Sequence, residues 1–300
     1  MALSRRSFLK TSAATALTLT GAEFLSEKGL FAQERTKGTE TRYGVLVDTT
    51  VCIGCRRCEN ACQTAHGLPA FDESYYDDRT VFNKPRRPDS NNLTVVNEYQ
   101  NGNVTTDIKV QCMHCNEPAC VSACIVHAFT KKPDGQVVWD GNKCIGCRYC
   151  MIACPFQVPA FEYQKAIEPE IRKCDFCDER RSNGLLPACV EICPMEVMTY
   201  GPVDELIDLA RKKLSENPDK YFNYIYGENE VGGTSWIYIS SFDLRKKVLP
   251  ELEAKAAPGV SESIQHGIFA YFIPPVSFYA LLGGIMWLTK KRRKMIGEEK

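Results

Sequence analysis

The chain has 300 residues, 44% of them apolar and 25% charged, which suits a globular body of one large or two small domains with room for a tail. Its 37 basic and 37 acidic residues cancel, which argues against a nucleic-acid binder. Cysteine is the abnormal component: there are 16, and every one falls into one of four tight groups of four.

In chain order, the N-terminus reads Ser4-Arg5-Arg6-Ser7-Phe8-Leu9-Lys10 and resembles a twin-arginine export signal. The weakly apolar stretch after it, Thr11 to Leu25, is too short and too polar to span a bilayer and suits the hydrophobic region of a signal peptide. Residues 1–32 are expected to be that peptide, cleaved after Ala32. The route such signals serve carries folded, cofactor-loaded proteins. The apolar run 44–47 reads as a strand leading into the first cysteine group, Cys52, Cys55, Cys58 and Cys62. Residues 63–111 form an insertion. Within it, Leu93 to Val96 and Val104 to Val110 alternate as strands around the hairpin turn Asn101-Gly102. The aromatic, polar stretch Phe71 to Ser90 is expected to be a surface loop facing a partner subunit.

The second group, Cys112, Cys115, Cys120 and Cys124, follows at once. A second short strand, 136–139, leads into the third, Cys144, Cys147, Cys150 and Cys154, and the fourth is Cys174, Cys177, Cys189 and Cys193. Val45-Leu46-Val47-Asp48 before Cys52-Ile53-Gly54-Cys55-Arg56 is repeated as Val137-Val138-Trp139-Asp140 before Cys144-Ile145-Gly146-Cys147-Arg148. In both copies an aspartate stands four residues before the first cysteine. This is an internal repeat, and the residues after the third cysteine of a group read as a short helix. Beyond the groups, Val203 to Leu214 has helical periodicity with Leu206, Ile207, Ala210 and Leu214 on one side. Tyr221 to Ser241 is aromatic and β-rich, and Arg245 to Ser263 reads as a charged linker.

The uncharged run from Gly267 to Leu288 matches the roughly 30 Å thickness of a bilayer core. Residues 264–289 are therefore expected to be one transmembrane helix, kinked at Pro274 and Pro275 and offering a close-contact face at Gly283 and Gly284. The basic residues Lys290, Lys291, Arg292, Arg293 and Lys294 place the tail, 290–300, in the cytoplasm. The expected location is thus the periplasmic face of the cytoplasmic membrane, by a single pass.

Groups one and three are spaced Cys-x2-Cys-x2-Cys-x3-Cys, group two Cys-x2-Cys-x4-Cys-x3-Cys and group four Cys-x2-Cys-x11-Cys-x3-Cys. Four thiolates hold one [4Fe–4S] cube, so 16 suffice for four. In such runs the first three cysteines wrap one cube and the fourth ligates its neighbour, so that clusters come in pairs. The competing readings are a disulfide framework, which is usually found in short chains with scattered cysteines, and structural zinc, which takes two separated cysteine pairs. Gly54 and Gly146 would let backbone approach a cluster, and Arg56, Arg57, Lys143, Arg148, Arg172 and Lys173 would offset its negative charge. Pro155 and Pro194 follow a fourth cysteine, whereas Gln63 and Ile125 stand at the equivalent places. His114, inside a complete cysteine group, is assigned packing or hydrogen bonding, and His266 stands at the membrane edge. No Ser/His/Asp set, phosphate loop or Gly-x-Gly-x-x-Gly is present, and no catalytic residue is assigned.

The runs Cys112-Met113-His114-Cys115 … Pro118-Ala119-Cys120-Val121, Cys144-Ile145-Gly146-Cys147-Arg148-Tyr149-Cys150 … Ala153-Cys154-Pro155-Phe156 and Lys173-Cys174-Asp175-Phe176-Cys177 … Pro187-Ala188-Cys189-Val190-Glu191 … Cys193-Pro194 are distinctive. They resemble the four-cluster iron–sulfur subunits of molybdopterin-oxidoreductase and membrane-hydrogenase complexes. Tyr226-Gly227-Glu228-Asn229-Glu230 … Gly232-Gly233-Thr234 and the terminal apolar run extend the likeness towards the hydrogenase-2 type subunit and, next, the formate dehydrogenase β subunit. The resemblance implies an α+β fold, residues 42–200, of two pseudo-symmetric bacterial-ferredoxin-like halves, with groups one and four in one half and two and three in the other. An extension, 201–263, follows. It also implies four [4Fe–4S] ligand sets: Cys52, Cys55, Cys58 with Cys193; Cys174, Cys177, Cys189 with Cys62; Cys112, Cys115, Cys120 with Cys154; and Cys144, Cys147, Cys150 with Cys124. These are called below the first to fourth sets. The implied role is a non-catalytic electron carrier between a catalytic oxidoreductase subunit, of hydrogenase or molybdopterin type, and a quinone-reactive membrane subunit. The contrasting class is a zinc- or disulfide-stapled binding module at the membrane surface.

Overall fold

The computed structural model describes residues 41–102, 104–256, 258 and 276–289. The expected signal peptide and basic tail, and His266, lie outside them. In chain order the elements are β1 (Tyr43–Asp48), α1 (Arg57–Ala65), α2 (Glu73–Asp77), β2 (Thr94–Asn101), β3 (Val104–Gln111), α3 (Ala119–Ser122), β4 (Phe129–Lys131) and β5 (Val137–Trp139). There follow α4 (Tyr149–Ala153), β6 (Ala160–Phe161), β7 (Ile171–Arg172), α5 (Asp178–Ser182), α6 (Ala188–Glu191), β8 (Met198–Pro202), α7 (Val203–Glu216) and β9 (Trp236–Ile239).

The strand before group one, β1, pairs antiparallel with the strand after group four, β8, with Val45 opposite Tyr200. The strand before group three, β5, pairs antiparallel with the strand after group two, β4, with Phe129 opposite Trp139. The helices follow the same rule: α1 packs on α6 and α3 on α4. Segments of groups one and four are thus joined, as are those of two and three.

β1 is central in a three-stranded sheet of order β8-β1-β9. Side chains alternate across a strand, and both faces here are covered. Val45 and Val47 join Trp236 and Tyr238 on the side that also holds Cys58 and Cys189. Leu46, Ile237 and Ile239 pack on the other side under α7, whose Val203, Leu206, Ala210 and Leu214 form the apolar stripe expected of an amphipathic helix. The parallel pairing of β9 with β1 is not legible in the sequence. It makes the extension part of the first half.

The insertion is the expected hairpin, β2 against β3, closed between Asn101 and Val104 with Gly102 at φ +63°. In the stretch 71–90, Tyr76 turns inward and its hydroxyl donates to Gln63 Oε1, while Phe71 and Tyr75 are exposed and stack with centroids 4.1 Å apart. The expected linker packs on the body as far as Glu253. The Tyr226 hydroxyl donates to the Pro250 carbonyl (2.8 Å) and the Val231 N–H to that of Glu253 (2.8 Å). The apolar anchors Leu244 and Leu249 account for this: both are buried in the main core.

Of the expected transmembrane helix, 264–289, only the C-terminal part lies within the described residues. Residues 276–289 are helical with exposed side chains. Among the described residues no helix is long and apolar enough to cross a membrane. The remainder of the expected span, 264–275, lies outside the described residues.

Candidate metal centres

Each Cys-x-x-Cys loop has a left-handed residue just before its second cysteine: Gly54 (φ +65°), His114 (+48°), Gly146 (+69°) and Phe176 (+66°). This conformation curls the loop so that amides face sulfur. The Gly146 N–H lies 3.5 Å from Cys144 Sγ and the Phe176 N–H 3.4 Å from Cys174 Sγ. Glycine adopts it freely, whereas His114 and Phe176 are held in it by packing. Their rings lie 5.0 Å apart, and His114 Nδ1 accepts the Val137 N–H at 2.9 Å. His114 is fully buried, and burial drives its pKa well below the usual imidazole value. It is a packing and hydrogen-bonding residue, as expected.

The repeated aspartates also find their reason. Asp48 accepts the Thr50 N–H and Asp140 the Asn142 N–H, each capping the short turn that delivers the first cysteine of its group. Three of the fourth cysteines close a second recurring turn, with His127, Gln157 and Glu196 left-handed three residues on. Cys62 lacks that turn because α1 runs through it.

The cysteines that come together are drawn from different groups. One cavity is bounded by Cys52, Cys55 and Cys58 with Cys193, and another by Cys112, Cys115 and Cys120 with Cys154. For the other two sets, electrostatics reports the proximity. Burial pushes the Cys62 thiol well up, and Cys174, Cys189 and Cys177 add to it. Burial pushes Cys150 up to about 12, with Cys144, Cys147 and Cys124 adding. Contacts of the same kind run between sets: Cys189 adds to the rise at Cys58, Cys112 to that at Cys174, and Cys150 to that at Cys120, each behind burial. The sets therefore form a row, first to fourth. All four thiols of the second set are buried, while Cys52, Cys55 and Cys193 at one end, and Cys144 and Cys147 at the other, approach the surface.

All 16 cysteines are unbridged. Soft donors converging in fours, at two of the sets around a largely apolar cavity, call for a thiophilic metal. With backbone N–H groups aimed at sulfur, the residues fit four [4Fe–4S] clusters.

Of the cations expected near them, Lys173 alone is buried among thiols, donating to the Val137 and Cys174 carbonyls at 2.5 and 2.9 Å. Arg56 is buried too, but pairs with Glu59 (3.2 Å) beneath the rings of Tyr75 and Tyr76. Arg148 repeats the ring contact with Phe161 and Tyr163. Arg57 pairs with Glu73, Arg172 with Glu162, and Lys143 with Asp140. Three polar residues escape a reading of the sequence. Lys131 donates to the Cys115 carbonyl (2.8 Å), and burial pushes its pKa down to about 8. Lys109 and Asp107 lie on the hairpin. The Asp107 carboxyl is pushed up to about 6 by burial and sits against Gly54. The available signal is the alternation Asp107, Lys109, Gln111 around Ile108 and Val110, which puts three polar side chains on one strand face. His66 Nε2 lies 2.8 Å from Asp175 Oδ1, and with Cys177 these belong to the surroundings of the second set.

Comparison with known proteins agrees with this geometry. A family model for a 4Fe-4S dicluster domain matches residues 105–203, which hold groups two to four. A protein of Nitratidesulfovibrio vulgaris is 43% identical over 99% of this chain and 80% of its own length. The B subunit of the anaerobic dimethyl sulfoxide reductase of Escherichia coli is 35% identical over 55% of this chain and 76% of its own. The hydrogenase-2 operon protein HybA of Escherichia coli is 33% identical over 97% of this chain and 96% of its own. On cysteine architecture and near-full-length similarity together, the chain belongs to the ferredoxin-type iron–sulfur electron-transfer subunits, in the branch that includes HybA.

Proposed function

We propose that this chain is a non-catalytic relay that moves single electrons between a catalytic subunit and a quinone-reactive membrane subunit at the periplasmic face of the membrane. When bound, the clusters supply the one-electron carriers. The protein supplies the sixteen proposed ligands in the four sets named above, fixes their order and buries all four thiols of the second. The observation that carries the reading is the unbroken row of sets, with the second wholly buried and the first and fourth approaching the surface at the two ends. Apolar side chains border both ends. Ile53, Ile192 and Met195 are exposed by the first set, and Ile145 (62%) and Ile152 (81%) by the fourth. Such exposed apolar groups suit contacts with partners.

A hydrogenase-type catalytic partner is favoured by the near-full-length similarity to the hydrogenase-2 operon protein. The similarity to a subunit of the dimethyl sulfoxide reductase keeps a molybdopterin-type partner, including a formate dehydrogenase, as the second reading. Export and anchoring rest on the paired arginines Arg5 and Arg6, the apolar run 264–289 and the basic tail.

The test is elemental and optical. Anaerobically purified protein is expected to be brown, to hold about sixteen iron atoms and as many sulfides, four of each per [4Fe–4S] cluster, and to bleach with dithionite. A colourless protein containing zinc, or bridged cystines, would overturn the proposal.

A further inference from the structure

Lys109 projects from β3 into the wall of the cavity bounded by the first set, and is 3% exposed. Its partners there are neutral: Gln111 Oε1 accepts from the ammonium at 2.8 Å, and the Trp236 ring centroid lies 4.3 Å away. Among the described residues no carboxylate pairs with it. Buried Glu59 is taken by Arg56 and Arg86, and the Asp107 carboxylate lies near Arg79 and Gly54. A buried ammonium without an anion is strongly unfavourable, so this charge needs a countercharge from elsewhere. The titratable groups that act on it are the Tyr238 phenol and thiols of two sets: Cys58 of the first, Cys189 and Cys174 of the second.

We infer that Lys109 is the shared countercharge of the first and second clusters, a positioning residue that raises the reduction potentials of those two and not of the third and fourth. The inference rests on the iron–sulfur reading above. A cluster gains one negative charge when it takes up an electron. A fixed cation in a low-dielectric junction therefore favours its reduced form. The position within the row matters. Lys173 lines the cavity of the third set and lies among Cys112, Cys120 and Cys174, so it stands at the next junction and serves as a spatial control.

The experiment is an EPR-monitored redox titration of the full-length holoprotein, with iron and sulfide assayed on each sample. In Lys109→Met and Lys109→Gln, iron content is expected to hold while two of the four midpoint potentials fall. The expected fall is about tenfold in the reduction equilibrium, about 59 mV for a one-electron couple. Lys109→Arg should restore both. Lys173→Met should lower a different pair that shares one cluster with the first. Unchanged potentials, an equal shift of all four, or a Lys109→Arg protein that behaves like Lys109→Met would overturn the assignment. Should the methionine variant fail to fold, the glutamine variant carries the comparison. Loss of iron from both neutral variants reduces Lys109 to a packing element and also overturns it. Wild-type protein without iron is a separate result, which removes the cluster reading itself.

Discussion

Gly54 and Gly146 hold the same conformation in the two copies of Cys-Ile-Gly-Cys-Arg, with φ of +65° and +69°, but their neighbours differ. A Cβ at Gly146 would meet only the Phe161 ring, at 3.7 Å, whereas one at Gly54 would collide with the Asp107 carboxylate. Gly146→Ala should therefore cost only the left-handed strain, about 1–2 kcal/mol, and keep its iron. Gly54→Ala should displace a strand residue as well and lose iron from the first set. Iron content and the temperature at which visible absorbance disappears, compared between the two, check this. The cysteines and these glycines are readable because their roles depend on neighbours in sequence. Asp107, Lys109 and Lys131 are not, since what matters about them is a loop or thiol that only the fold brings near. Arg56 illustrates the converse: adjacent to a cysteine in sequence, its charge is already met by Glu59.

At the scale of elements, local signals serve well wherever a turn or a period carries the information. Asn101-Gly102 announces the hairpin, and the spacing of Leu206, Ala210 and Leu214 announces α7. β9 escapes notice as a partner of β1 because a parallel pair has no connecting turn to read. Likewise, Leu249, buried in the core, is hidden within a stretch whose charge suggests a linker. The two cores that result divide the labour. The apolar core under α7 contains no cysteine, while the opposite face of the same sheet contains Cys58 and Cys189. Leu206→Ala should accordingly lower stability by about 2–5 kcal/mol while iron stoichiometry stays at the wild-type value. A calorimetric melt paired with an iron assay tests both halves of the statement.

For the whole molecule, spacing indicates four sets and the resemblance indicates which cysteines cross between groups. The order of the row comes only from the structure, because it depends on which buried thiols lie side by side. The proposed tether is tested by fractionation. A chain ending at residue 263 should leave the membrane pellet with its iron complement intact, and persistence in the pellet would argue against residues 264–289 as the anchor. The crossing of cysteines has a further consequence, in time rather than space. The cavity that gathers Cys52, Cys55 and Cys58 also requires Cys193, so its earliest thiols leave the ribosome long before the last. The half built from groups two and three has all its thiols once Cys154 has emerged, whereas the half that opens the sequence stays unfinished until Cys193 follows, so the two halves become ready for metal in the reverse of the order in which they begin.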